Sequence, residues 1–153
     1  MTSPATFTVE QANRMLPLVR RIAEDLVTDY ARWQSALREF ERLALASRIE
    51  SPDPRLATLQ RDAKRLADDV QHYLTELAAL GVACKSVETG LVDFPGEVDG
   101  EPACLCWQVG EPAVAWWHRP DAGFAGRQPI LDALVPNDGS PDDVVPNVAE
   151  AAR

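Results

Sequence analysis

The chain has 153 residues, of which 46% are hydrophobic and 25% charged, a composition typical of one globular domain with a substantial core. The formal net charge of −9 at pH 7 argues against a nucleic-acid partner, because phosphate backbones are bound through basic surfaces. No run approaches the roughly 18 apolar residues of a membrane span. Three cysteines cannot all pair, and no leader-like segment precedes the first helix, so we expect a cytoplasmic protein with reduced thiols.

The first predicted element is a long amphipathic helix. Thr8 and Gln11 have the spacing of a capping box, which marks the start of a helix. Pro17 removes one backbone donor, and we expect it to kink the first turns. Apolar residues recur every three or four positions, and the helix is expected to run to about residue 46. The stripe consists of Met15, Val19, Ile22, Leu26, Tyr30, Trp33, Leu37 and Phe40.

A second helix is predicted after the reversal at 47–54. Ser51 has the character of an N-cap, with Pro52 at the first helical position, and Gly81 is a natural stop. Two amphipathic helices joined by a short loop pack antiparallel, so we predict a helical hairpin of coiled-coil type over 8–80. Its second stripe consists of Leu56, Leu59, Ala63, Leu66, Val70, Tyr73, Leu77 and Leu80.

After Gly81 the apolar pattern changes to period two, which indicates strands. Asp99-Gly100 is a strong hairpin turn signal, and a second turn falls near Gly110. We therefore predict an α+β fold in which the helical hairpin packs on a three-stranded antiparallel meander. The first turn sets Asp93 opposite Cys106 and Pro95 opposite Cys104, and it places Val92, Phe94, Leu105 and Trp107 together on the other face.

The predicted domain organisation is simple. Residues 1–7 form a lead-in, and 8–135 form a single domain that comprises the hairpin at 8–80 and the meander with its following loop at 81–135. The segment 136–153 is acidic and contains three prolines, so we expect a disordered tail.

Four motifs carry a resemblance to a known family. They are "FTVEQANRMLPLVR", "GLVDFP", "CLCWQVGEP" and "WWHRPDAGFAGRQPI", and they occur in this order within residues 6–131. The chain resembles the bacterial family catalogued as domain of unknown function 2203. The resemblance implies a small cytoplasmic prokaryotic protein, and it transfers no catalytic role, because the family has no established activity.

The sheet region contains the donors of a metal site, namely His118, Asp93, Cys104 and Cys106. Imidazole, thiolate and carboxylate together suit zinc or iron, so the candidate cofactor is a divalent metal of this kind. Two cysteines in a C-x-C pattern lie about 7 Å apart on a strand, which is too far to share a metal easily. The preferred, more conservative interpretation is a histidine that caps a tryptophan-rich core through a backbone carbonyl, with the cysteines as small buried apolar residues.

The second turn decides which face His118 occupies, because a shift of one residue reverses every side chain. A three-residue loop, 110–112, puts Cys104 opposite His118 on the face of Asp93. A four-residue loop, 109–112, puts His118 on the face of Leu105 and Trp107 instead. The sequence leaves both registers open.

The segment "GFAGRQP" could bind an anion, since Gly123 and Gly126 permit unusual backbone angles and Arg127 offers a bidentate fork. The preferred interpretation is a structural loop in which Arg127 pairs with a nearby carboxylate, namely Asp93, Glu111 or Asp121. The candidate ligand-binding residues are Trp107, Glu111, Trp117, His118, Arg127 and Glu10.

Trp116 and Trp117 point to opposite faces of one strand, so a second layer is expected, and another copy of the chain is the simplest one. The leading functional hypothesis is a non-enzymatic binding or interaction module that forms a homodimer through its helices, with a small-molecule or protein partner. The alternative is a small enzyme that depends on a metal or an anionic ligand, with its site at the sheet–helix junction around His118.

Overall fold

The computed structural model of the protein describes residues 6–130. The described strands form one antiparallel sheet in the order β1-β2-β3-β4-β5. The α+β prediction is confirmed, but the sheet has five strands rather than three. The elements are α1 (Val9–Ala46), α2 (Arg55–Ala79), β1 (Ala83–Ser86), β2 (Leu91–Val98), β3 (Glu101–Trp107), β4 (Trp116–His118), a short 3₁₀ helix (Phe124–Gly126) and β5 (Gln128–Pro129).

The first helix begins at the predicted capping box. The Gln11 amide donates to Thr8 Oγ1 (3.1 Å), and the Thr8 amide donates to Gln11 Oε1 (3.0 Å), so two amides without helical partners are satisfied reciprocally. The helix continues for 38 residues to Ala46 with Pro17 inside it, which corresponds to about 57 Å.

The prediction that Ser51 caps α2 is wrong. Ser51 lies in the connecting turn, where its amide donates to the Arg48 carbonyl (3.2 Å). The helix begins at Arg55, four residues later. The Arg55 amide donates to Asp53 Oδ1 (2.9 Å), so the Asp53 carboxylate satisfies one amide of the first turn that has no helical partner.

The second helix ends as predicted at Gly81, which has a φ of +83°. The amides of Gly81 and Val82 donate back to the carbonyls of Ala78 and Leu77 (both 3.0 Å), which is a Schellman ending.

The two helices are in contact along their length. The Tyr73 hydroxyl of α2 donates to Asp29 Oδ2 on α1 (3.0 Å). Because α1 and α2 are joined by a short turn and also meet at this bond far from the turn, they run side by side in opposite directions. No helix in the described part of the chain combines the length and apolarity that a bilayer crossing needs.

The two additional strands are the short outer ones. β1 has four residues and β5 has two, lengths over which period-two alternation cannot be recognised. β5 also contains Pro129, which is tolerated at a sheet edge because an edge residue needs no amide donor there. The predicted turn is confirmed: Asp99 (φ 57°) and Gly100 (φ 77°) both have positive φ, as a type I′ hairpin requires.

The core lies between the first half of α1 and one face of the sheet. Trp107 is fully buried in it, and its indole N–H donates to the Glu111 carbonyl (2.9 Å). Beyond Leu26, α1 has one further buried side chain, Leu43, because the sheet covers only the proximal half of the hairpin. The buried cluster consists of Ala12, Leu16, Val19, Ile22, Ala23, Leu26, Leu77, Val82, Val92, Phe94, Leu105, Trp107, Val114 and Ile130.

Candidate metal site

The strand register decides between the two arrangements that the sequence leaves open. Cys104 pairs with His118, and Cys106 pairs with Trp116, which is the register of the three-residue loop. Asp93 pairs with Cys106 across the other hairpin. Directly paired residues share a face of the sheet, so Asp93, both cysteines and His118 lie together on the face opposite the helices. We call this the outer face.

Three of these four residues converge. One possible ligand atom from each of Asp93, Cys106 and His118 lies within 4.8 Å of the other two, and all three residues are buried. The side chains of His118 and Asp93 are only 4% and 5% exposed. His118 Nε2 lies 3.0 Å and 3.1 Å from the two carboxylate oxygens of Asp93. We call these three residues the outer-face cluster.

The tautomer of His118 is fixed by its second nitrogen. Nδ1 lies 2.7 Å from the backbone carbonyl of Arg119, and a carbonyl can only accept, so Nδ1 carries a hydrogen. The other nitrogen, Nε2, faces a carboxylate. Either a proton shared by the two groups or a metal bound by the Nε2 lone pair must therefore lie between them. The carbonyl contact fits the conservative interpretation of a capped histidine, and it is also the usual outer-shell bond of a metal-ligating histidine.

The arrangement does not support a cysteine nucleophile. Both ring nitrogens of His118 are already engaged, by Arg119 and Asp93, so the imidazole is not placed to take a proton from Cys106. Burial, and then the charge of Asp93, raise the pKa of the Cys106 thiol to about 12. Such a thiol becomes a thiolate at neutral pH only if a cation binds it.

Cys104 lies at the border of the cluster. It pairs with His118 on the outer face and is half-buried, but it is not one of the three residues whose donor atoms converge. Burial and a contact with the Asp93 carboxylate raise the pKa of its thiol. Cys104 therefore touches the cluster from a side that solvent reaches.

Arg127 and Glu111 form a second polar group on this face. Arg127 Nη2 donates to both oxygens of the Glu111 carboxylate (2.7 Å each), so the predicted pairing of Arg127 with a nearby carboxylate is present, with Glu111 as the partner. The guanidinium carbon lies 4.9 Å from the ring centre of Trp116 and 4.8 Å from that of Phe124. Trp116 is thereby covered by the loop of its own chain.

The remaining predicted ligand-binding residues lie away from the outer-face cluster. Trp107 and Trp117 belong to the helix-facing side of the sheet, where Trp117 packs against the core beneath the Arg119 guanidinium (5.0 Å). Glu10 is on the surface with an 82% exposed side chain, paired with Arg14 at 3.3 Å.

Sequence reasoning missed the role of Arg119. Its guanidinium donates to the carbonyls of Val98 and Pro102 (3.0 and 3.3 Å) and lies over Trp117, while its own carbonyl binds His118. These contacts hold the backbone that orients the imidazole. No motif could reveal this, because the functional atom belongs to the main chain.

The fold and the cluster define a small α+β protein with a helical hairpin, a five-stranded sheet and a buried group of three potential metal ligands. The family model described as uncharacterized conserved protein (DUF2203) matches residues 5–130. The chain belongs to this family, which confirms the resemblance noted in the sequence. No curated protein and no solved structure matches the chain.

Proposed function

We propose that this protein binds one divalent transition metal, with zinc as the best fit, through Asp93, Cys106 and His118. The observation that carries the proposal is the convergence of three different donor types within 4.8 Å in a buried position, with the histidine already held as the tautomer that presents Nε2. Imidazole, thiolate and carboxylate are all ligands that zinc accepts.

The distances suit a tetrahedral ion. With ordinary zinc–ligand bond lengths, the nitrogen and oxygen donors of such a site lie about 3.3 Å apart and the sulfur lies about 3.6 Å from each. His118 Nε2 and the Asp93 oxygens are 3.0 and 3.1 Å apart, so a few tenths of an ångström of separation admits the ion. The Cys106 sulfur lies within 4.8 Å of the other two donors, so it has at most about 1.2 Å to approach.

The charges also balance. Without metal, one proton shared between His118 Nε2 and the Asp93 carboxylate makes that pair neutral overall, and the Cys106 thiol is neutral as well. With Zn²⁺, the neutral imidazole, the carboxylate and the thiolate again sum to zero, so the buried site gains no net charge. The ion replaces two protons, and we expect the affinity for zinc to rise with pH for that reason.

The test is zinc affinity with matched controls from the same chain. Cys106→Ala removes the thiolate without leaving an unpaired buried charge, and Cys84→Ala removes a half-buried thiol outside the cluster. We expect one zinc per chain in protein purified without a tag or chelator. Isothermal titration should show zinc binding weakened at least about 100-fold by Cys106→Ala and unchanged by Cys84→Ala.

The two histidines give a second matched pair. His118→Ala should abolish binding, whereas His72→Ala, at a 69% exposed side chain, should not. Equal zinc affinity in the Cys106→Ala and Cys84→Ala variants would refute the proposed site.

The hairpin supports a second candidate function, self-association. The distal part of the α1 stripe is only partly covered: Trp33 and Phe40 are half-buried and Leu37 is 36% exposed. A second copy that packs its hairpin against this stripe would bury these side chains in a four-helix arrangement of coiled-coil type.

The oligomeric mass tests this directly. Light scattering after size exclusion should give twice the 16.8 kDa chain mass. Leu37→Glu should return the protein to a monomer, whereas Leu45→Glu, at a residue 91% exposed near the turn, should not. A concentration-independent mass of one chain for the unmodified protein would contradict self-association.

A further inference from the structure

Three protein ligands leave a zinc ion incomplete. Structural zinc sites are closed by four protein ligands, whereas sites that work on small molecules keep a fourth position for water or substrate. The identity of the fourth ligand therefore decides whether the outer-face cluster is a structural site or one that binds a further molecule.

Cys104 is the nearest candidate for a closing ligand, and the backbone geometry disfavours it. It stands two residues from Cys106 on the regular strand β3, which separates the two Cα atoms by about 7 Å. Its sulfur is not among the donor atoms that lie within 4.8 Å of one another. Within residues 6–130, no other His, Cys, Asp or Glu joins this group of donors.

A cationic side chain with a free donor lies beside the cluster. Trp116 is paired directly with Cys106, and Arg127 is stacked 4.9 Å from the Trp116 ring. The Arg127 guanidinium therefore lies on the outer face, over the strand residue that is the direct neighbour of Cys106. Glu111 occupies only Nη2 of the guanidinium.

Of the Arg127 donors that Glu111 leaves open, Nε–H is the one enclosed by protein. Nε is fully enclosed and is the one buried side-chain nitrogen or oxygen in the described residues without a hydrogen-bond partner. An enclosed donor of this kind is costly until an acceptor reaches it. An anion that bound both the metal and Arg127 would supply that acceptor.

We infer that the fourth coordination position of the proposed metal site takes a small carboxylate ligand, with Arg127 as its second contact. This inference rests on the proposed metal binding. Cys104 then lines the solvent side of the site and is not a ligand.

Cobalt-loaded protein tests the inference. Co²⁺ takes zinc sites and gives visible bands sensitive to its ligands, together with a charge-transfer band whose intensity grows with the number of bound thiolates. We expect Cys104→Ala to leave the charge-transfer intensity unchanged. Sodium acetate, the carboxylate probe, should shift the visible bands saturably, at concentrations at least tenfold lower than sodium chloride at matched ionic strength.

The contribution of Arg127 is measured in a paired variant. Arg127→Gln combined with Glu111→Gln removes both charges and leaves neither partner buried alone. The cobalt spectrum without acetate should be unchanged, and the affinity for acetate should fall at least tenfold. An unchanged acetate affinity would overturn the assignment of Arg127.

The other outcomes separate the two proposals. A cobalt charge-transfer band that loses half its intensity in Cys104→Ala, or that is present while acetate has no effect, would overturn the carboxylate position and leave metal binding intact. Absence of any thiolate–cobalt band in the unmodified protein would overturn metal binding itself.

Discussion

The two faces of the sheet are made by alternate residues of the same strands, yet their buried side chains differ in kind. On the helix-facing side, Phe94 and Trp107 are enclosed among leucines and valines of α1. On the outer face, Asp93 and His118 are equally enclosed but ionisable. Burial of the apolar side is favourable by itself, whereas burial of the polar side is favourable only when each group has a partner. The effect of a substitution in a strand therefore depends on which face of the sheet the residue occupies.

The largest effect is expected on the apolar face. Trp107→Ala should lower the free energy of unfolding by about 4 kcal/mol, because it removes a fully buried indole and leaves a cavity. Urea denaturation measures this, with Trp33→Ala on the half-covered distal helix as the control. An equal loss in the free energy of unfolding for the two substitutions would contradict the placement of the core around Trp107.

A somewhat smaller effect is expected from breaking the ionic pair on the outer face in metal-free protein. His118→Leu leaves the Asp93 carboxylate buried without its partner and should cost about 3 kcal/mol. Adding Asp93→Leu removes the stranded charge, and we expect the double variant to recover most of the loss. A double variant that is less stable than either single one would show that the pair itself stabilises the fold.

A smaller loss of stability is expected at alkaline pH, and it comes from the outer face alone. The pKa of the Cys106 thiol is about 12 in the folded protein, against an ordinary value of 9.0, so the folded chain retains a proton that the unfolded chain loses. The resulting stability is fully present below pH 9 and is lost as the pH rises towards 12. By pH 10 the loss is about 1 kcal/mol. The free energy of unfolding, measured with a chelator present, should therefore fall more steeply above pH 9 for the unmodified protein than for Cys106→Ala. The same pH dependence in both proteins would contradict the raised pKa of the thiol.

The smallest effect is expected at the surface. Glu10 pairs with Arg14 on the exposed side of α1, and such pairs contribute little. Glu10→Gln should change the free energy of unfolding by less than about 0.5 kcal/mol and should leave zinc affinity unchanged. A marked loss of zinc affinity would show that Glu10 contributes to the metal site.

The sequence predicted the features that depend on local periodicity and turn chemistry. The capping box at Thr8, the end of α2 at Gly81 and the Asp99-Gly100 hairpin are confirmed, because each depends on a few neighbouring residues. The pairing of Asp93 with Cys106 follows from that turn alone. The tail predicted at 136–153 lies outside the described residues, and the proposed domain boundaries remain predictions.

Other features depend on contacts that a sequence does not display. The face of His118 required the register of the second turn, and the loop at 110–112 could have had one more residue. The start of α2 was misplaced because Ser51-Pro52 and Asp53-Pro54 give similar signals, and it is the Asp53 carboxylate that binds the Arg55 amide. β1 and β5 are too short to show a period, and the carbonyl of Arg119 has no side-chain signature.

The central claim is that a metal sits among Asp93, Cys106 and His118. Crystals grown with zinc and measured on both sides of the zinc absorption edge would locate the ion directly. We predict one anomalous peak per chain, within bonding distance of one carboxylate oxygen, the Cys106 sulfur and His118 Nε2, with the histidine Nδ1 still bonded to the Arg119 carbonyl. An intact hydrogen bond between His118 and Asp93 with no peak between them, at saturating zinc, would contradict the account.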